Sequence, residues 1–148
     1  MDTNNNVTIT GDLPESLAKA SGLKDLPSKQ SFLNILKLDK AVVYLLVDWS
    51  GPERVSRYFI YKALNELDNK NLPVFKIDCS DQTKEYVVEW LAGQGENKKY
   101  FYYGGWGETL LIAQGIIVDV IENPGKLGLD KTKAKLNEWG SAATIPST

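Results

Sequence analysis

The chain has 148 residues, 43% of them apolar and 24% charged, and a net charge of −2. This length suits one domain with its own hydrophobic core, and the lack of a basic surplus argues against nucleic-acid binding. The single cysteine, Cys79, and the lack of histidine exclude an intramolecular disulfide and any catalytic site built on histidine. Histidine is also the usual nitrogen ligand of zinc and copper, and we predict neither a metal nor another cofactor.

The N-terminal residues 1–26 are polar and are predicted to form a partly ordered extension, in which residues 7–10 could form a short strand and residues 13–23 a short helix. A single domain is predicted over 27–148. The chain begins with neither the charged start nor the apolar centre of a signal peptide, and its longest apolar run, 41–47, is too short to span a membrane. We therefore expect a cytoplasmic protein.

The hydrophobic periodicity between residues 28 and 139 predicts four helices and four strands. In chain order they are helix 28–38, strand 41–47, helix 52–68, strand 73–78, helix 82–91, strand 109–113, strand 116–121 and helix 130–139. Parallel strands need crossover helices, and only the last two strands are close enough for a hairpin, with Gln114-Gly115 as its turn. This order predicts an α/β protein with a mixed sheet and helices on both faces.

The segment Trp49-Ser50-Gly51-Pro52-Glu53 lies between the first predicted strand and the helix that follows it. A tryptophan and an X-Gly-Pro-X motif at this place, together with the closing hairpin TLLIAQGIIVDVI, resemble the thioredoxin superfamily over residues 27–139. The resemblance implies a thioredoxin-like three-layer α/β/α fold, with a central mixed sheet and a C-terminal β-hairpin plus helix.

The resemblance also indicates what stands where the family keeps its redox groups. The family's attacking cysteine corresponds to Ser50, its resolving cysteine to Glu53 and its buried acid to Tyr44. Its cis-proline corresponds to a position near Glu108, where we expect a trans peptide bond. Disulfide exchange needs a thiolate and a second thiol, which Ser50 and Glu53 cannot replace. We therefore predict a redox-inactive member of the superfamily that has no catalytic residues.

The start of the 52–68 helix also has a structural interpretation, which we favour. Ser50 and Glu53 have the spacing of a capping box, in which the serine oxygen accepts the Glu53 N–H and the glutamate carboxylate accepts the Ser50 N–H. Pro52 suits the first helical turn because its φ is already fixed and its missing N–H would have no partner there.

The segment 98–108, KKYFYYGGWGE, has five aromatic residues and three glycines. Aromatic side chains anchor protein interfaces, so this segment could be a recognition surface, but it could equally be an extended segment that packs into the core. For Cys79 we favour a structural role over a redox or dimerising one, because its neighbours Asp78 and Asp81 would raise the pKa of its thiol.

These observations predict a non-catalytic protein-binding module with an unidentified protein partner, such as an inhibitor, an immunity-type protein or an assembly subunit. The candidate binding residues are Trp49, Ser50, Glu53, Tyr102, Tyr103, Trp106 and Glu108. The alternative is a small-molecule or thiol-peptide binding protein, or a transferase-like enzyme, that uses the helix start at Ser50.

Overall fold

The computed structural model describes residues 15–68, 71–80, 85–94 and 105–141. The helices in this part of the chain are α1 Glu15–Ser21, α2 Lys29–Ile35, α3 Gly51–Asn65, α4 Glu85–Ala92, α5 Pro124–Leu127 and α6 Leu129–Ser141. The strands are β1 Lys24–Asp25, β2 Ala41–Leu46, β3 Val74–Asp78, β4 Thr109–Ala113 and β5 Ile116–Ile121.

The five strands form one mixed sheet in the order β1-β3-β2-β4-β5. Strands β1, β3 and β2 are parallel, β4 is antiparallel to β2, and β5 is antiparallel to β4. Every residue of the central strand β2 is buried, as its continuously apolar sequence predicts. The predicted mixed sheet is confirmed.

Helices cover both faces of the sheet because side chains alternate between the faces along each strand. On one face, Val43 and Leu45 of β2 pack with Phe32 of α2 and with the apolar side chains of α4. On the other face, Val42 and Tyr44 pack with the apolar side chains of α3 and α6. This arrangement confirms the predicted three layers.

The hairpin between β4 and β5 turns at Gln114-Gly115, where the φ angles are 53° and 84°. Two successive positive φ angles are the signature of a type I′ turn, which suits the twist of a two-residue hairpin. Because β4 runs antiparallel to β2 and Tyr44 pairs with Thr109, the residues that precede β4 lie at the carboxyl end of β2. The start of α3 is at the same end of the sheet.

The segment 1–26, which we predict as an extension, contributes two elements to the fold. Strand β1 pairs with β3, and α1 contacts α3. The strand considered at 7–10 lies outside the described residues. The sequence did not predict α5, which starts at Pro124 after an Asn123 cap.

Candidate functional site

Helix α3 begins at the Ser50 cap. The Ser50 Oγ accepts a hydrogen bond from the Glu53 N–H at 3.3 Å and donates one to the Gly105 carbonyl at 2.5 Å. The first half of the predicted capping box is therefore confirmed. Ser50 is only 8% exposed, so its hydroxyl links the helix start to the segment before β4 from beneath the surface.

The second half of the predicted capping box is wrong. The Ser50 N–H donates to the Val47 carbonyl, and the Glu53 carboxylate turns inward. There it accepts the Tyr44 hydroxyl at 2.5 Å, and it pairs with Arg57 through two bonds of 2.7 and 3.0 Å. A bidentate guanidinium and a hydroxyl stabilise a buried carboxylate better than one backbone amide does, which explains the inward orientation.

Burial sets the protonation behaviour of this network. It raises the pKa of the Glu53 carboxyl, against the opposing effect of the hydrogen bonds from Arg57 and Tyr44. It also raises the pKa of the Tyr44 hydroxyl well above its ordinary value, and the nearby Glu53 charge adds to that effect. For Arg57, burial alone would lower the pKa, but the Glu53 carboxylate outweighs burial and the pKa is raised. Glu53 is thus a structural group held away from water.

Ser56 of α3 is fully buried, and it joins the loop before β4 to helix α5. Its hydroxyl donates to the Trp106 carbonyl at 2.6 Å and accepts the Gly125 N–H at 2.9 Å. The sequence analysis missed this residue. Its burial could have been inferred from its position three and four residues before Phe59 and Ile60, which places it on the apolar face of α3.

The loop that precedes β4 approaches α3 very closely at Gly107. This residue has a φ of 80°, and a Cβ there would lie 2.5 Å from the Ser56 Cβ and 2.8 Å from the Tyr44 hydroxyl. Only glycine fits such a position. The next residue, Glu108, is 7% exposed, and its carboxylate accepts the Trp106 N–H at 3.4 Å. No cis bond occurs in the described residues, so the trans bond expected near Glu108 is confirmed.

Two exposed tryptophans lie next to residues of this network in the chain, and together we call them the indole pair: Trp49, 59% exposed, and Trp106, 45% exposed. The Trp49 Nε1–H donates to the Ser80 carbonyl at 2.8 Å, and its ring lies beside Gly105, where a Cβ would be 3.8 Å from the Trp49 Cη2. The indole pair therefore places two exposed apolar side chains near the start of α3.

No family model and no curated protein matches the sequence. The structure is similar to the thioredoxin of Malassezia sympodialis (TM-score 0.61, 14% identity, 80% of this chain and 91% of that one). It is also similar to the thioredoxin of Trypanosoma brucei brucei (TM-score 0.53, 19% identity, 87% and 96%). This chain has a thioredoxin-like fold. Mitochondrial thioredoxin 3 of Saccharomyces cerevisiae is a further match (TM-score 0.52, 18% identity, 78% and 97%).

On this thioredoxin-like fold, Ser50, Glu53 and Glu108 are buried, whereas Trp49 and Trp106 are exposed. Tyr102 and Tyr103 lie outside the described residues, so the role of residues 98–104 stays a prediction. Among the residues that the structure describes, no cluster of Cys, Asp and Glu side chains could hold a metal ion.

Cys79 is the one cysteine of the chain, and it is fully buried in the core between the sheet and helices α2 and α4. Its N–H donates to the Leu46 carbonyl at 2.7 Å, which places it at the end of β3 beside β2. A single cysteine is consistent with a thioredoxin-like protein that does not exchange disulfides.

Proposed function

We propose that this protein is a redox-inactive, non-catalytic protein-binding module, and that the indole pair is its contact surface. The observation that carries this proposal is the exposure of two indoles near the start of α3, 59% for Trp49 and 45% for Trp106. Tryptophan is enriched at protein interfaces and among the residues that contribute most to binding, because it buries a large area with few rotatable bonds.

The buried polar groups at the start of α3 support a non-catalytic role. The hydroxyl of Ser50 and the carboxylate of Glu53 both form hydrogen bonds inside the protein. The one thiol of the chain is that of Cys79, which is fully buried, and the chain has no second cysteine to resolve a mixed disulfide. These groups stabilise the start of α3, and in this proposal the indole pair contacts the protein partner.

Hydrogen bonds also hold the backbone at Trp106 and the ring of Trp49 in place before a partner arrives. The Trp106 carbonyl is bonded to Ser56, and the Gly105 carbonyl is bonded to Ser50. The Trp49 ring is fixed through its own N–H to the Ser80 carbonyl. A contact surface that is ordered in the free protein loses less conformational entropy on binding, which favours affinity.

The alternative, a small-molecule or thiol-peptide site at Ser50, has less support. The Ser50 Oγ is already engaged by Glu53 and Gly105. Two clefts, of about 490 and 560 Å³, are lined by other parts of the chain. We therefore favour the protein-binding function.

A cytoplasmic location remains part of this proposal. Among the described residues, no helix combines the length and the apolar character needed to cross a membrane. Whether the partner makes this protein an inhibitor, an immunity-type protein or an assembly subunit depends on the identity of that partner.

A capture experiment from a lysate of the source organism tests the function. With wild type as bait under reducing conditions, we expect one partner at near-stoichiometric yield. The Trp49→Ala/Trp106→Ala variant should lose that partner while it keeps its fold, because both side chains are largely exposed. The readout is the amount of partner recovered per mole of bait.

The matched control is Ile116→Ala/Val118→Ala on β5, which also removes two exposed apolar side chains. This variant should retain the partner, since Ile116 lies beside the hairpin turn, at the other end of β4 from Trp106. Equal recovery with wild type and the tryptophan variant would contradict the proposed contact surface.

A further inference from the structure

A basic cleft lies close to the backbone of Trp106, since the Ser56 hydroxyl contacts both the Trp106 carbonyl and Asn123, which lines the cleft. It has a volume of about 560 Å³ and lies between the end of β5, α5 and α6. Three lysines line it, Lys126 from α5 with Lys131 and Lys135 from α6, together with one acid, Glu122. We call this cleft the lysine cleft.

The lysine cleft lies close to Trp106 of the indole pair. The buried Ser56 hydroxyl bonds both the Trp106 carbonyl, at 2.6 Å, and the Gly125 N–H, at 2.9 Å. Gly125 and Trp106 thus share one hydrogen-bond partner. Lys126, which lines the cleft, follows Gly125 directly in the chain. An extended segment of a few residues can therefore contact both.

The charge balance of the cleft is positive on a chain whose net charge is negative. Lys135 is neutralised by Asp119, with 2.8 Å between the Nζ and Oδ2 atoms. Lys126 and Lys131 form no ion pair with any residue that the structure describes, and Glu122 is the only acid among the cleft's lining residues. Two lysines are thus available to a ligand of opposite charge.

We propose that the lysine cleft and the indole pair bind one acidic, extended segment of a partner protein. An apolar side chain of that segment packs on the indoles, and its carboxylates face Lys126 and Lys131. Opposite charges across an interface select partners and fix their register, which the apolar contact alone does not do. This inference rests on the proposed function, since it specifies the partner of the same surface.

The test is selection of random 12-residue peptides displayed against the immobilised full-length protein. We expect the selected peptides to be enriched in Asp and Glu and to contain at least one large apolar residue. Their dissociation constants should rise at least about tenfold in Lys126→Glu/Lys131→Glu, because attraction becomes repulsion at two positions. The matched charge control is Lys29→Glu/Lys37→Glu on the exposed surface at α2, where we expect a change of less than about twofold.

Several results would overturn the inference: selected peptides that are neutral or basic, no enriched peptide at all, or equal loss of affinity in the two charge variants. Peptides that lose binding in Trp49→Ala/Trp106→Ala but not in Lys126→Glu/Lys131→Glu would overturn the acidic specificity and leave the proposed function standing. Peptides whose binding depends on the lysines alone would support the recognition of acidic peptides by the cleft. They would contradict the assignment of the indole pair to the same binding surface.

Discussion

Replacement of Arg57 by alanine should lower the free energy of unfolding by about 3–5 kcal/mol at neutral pH. The Glu53 carboxylate has no exposed surface, and Arg57 supplies two of the hydrogen bonds that stabilise its charge. Without Arg57, the carboxylate would keep the Tyr44 hydroxyl but would be a buried charge without a counterion. Urea unfolding measures the change, provided that the m-values of the two proteins agree.

The loss caused by Arg57→Ala should depend on pH in a defined direction. Burial already raises the pKa of Glu53 in the intact network, and removal of the cation raises it further. A carboxyl whose pKa is higher in the folded state than in the unfolded state binds its proton more tightly when folded, so its contribution to stability falls as pH rises. The variant should therefore lose less stability at a pH of about 5 than at a pH of about 8.

Lys62→Ala is the matched control for this change, because Lys62 of α3 also pairs with a glutamate four residues later, at the C-cap of the helix. That pair, with Glu66, has an N–O distance of 3.9 Å and exposed fractions of 36% and 40%. An exposed pair of this kind contributes at most about 0.5 kcal/mol. If the two variants lost equal stability, or if the Arg57→Ala loss grew as pH fell, the structural role of the buried network would be wrong.

Gly107→Ala should destabilise the protein by about 2–5 kcal/mol. Two costs add: a left-handed φ of 80°, and a Cβ placed 2.5 Å from the Ser56 Cβ and 2.8 Å from the Tyr44 hydroxyl. Relief of the clash requires the loop to move away from α3, which would also stretch the bond between Ser56 and the Trp106 carbonyl. Thermal or urea unfolding measures the loss.

Gly22→Ala separates the two costs. Gly22 has a φ of 76°, but no atom lies within 4 Å of the Cβ position. Its replacement should cost only the backbone strain, about 1–2 kcal/mol. Equal losses of stability in Gly22→Ala and Gly107→Ala would contradict the close contact between the loop before β4 and α3.

The order of helices and strands could be predicted from sequence because each element carries its own burial pattern. The apolar run of β2 signalled a strand covered on both faces, and Gln114-Gly115 signalled a two-residue hairpin. These signals are local, and the crossover rule then restricts how the elements can be connected.

The orientation of the Glu53 side chain could not be predicted from the capping pattern alone. The pattern places Glu53 near the Ser50 N–H, but the tertiary fold offers a stronger site beside Tyr44, nine residues earlier on β2. Two signals were available: Arg57 lies four residues after Glu53 on the same helix, and a tyrosine in a fully buried strand needs a partner for its hydroxyl. The first signal indicates an anionic partner for Arg57 and the second a hydrogen-bond acceptor for Tyr44, but neither shows that the Glu53 carboxylate is the partner of both.

The candidate contact surface was only partly predictable, for a related reason. Trp49 and Trp106 are 57 positions apart, and their exposure depends on how the loop before β4 lies on α3. The lysine cleft combines residues of β5, α5 and α6, and the sequence contained no sign that α5 would form. Contacts between distant elements decide both features.

The central claim is that the start of α3 carries structural groups and that this protein, although its fold is thioredoxin-like, does not exchange disulfides. The most direct test is the rate at which the purified protein reduces a disulfide-bonded substrate such as insulin in the presence of dithiothreitol. We expect the rate of dithiothreitol alone, both for wild type and for Cys79→Ser. A wild-type rate well above that background, lost in Cys79→Ser, would contradict the claim.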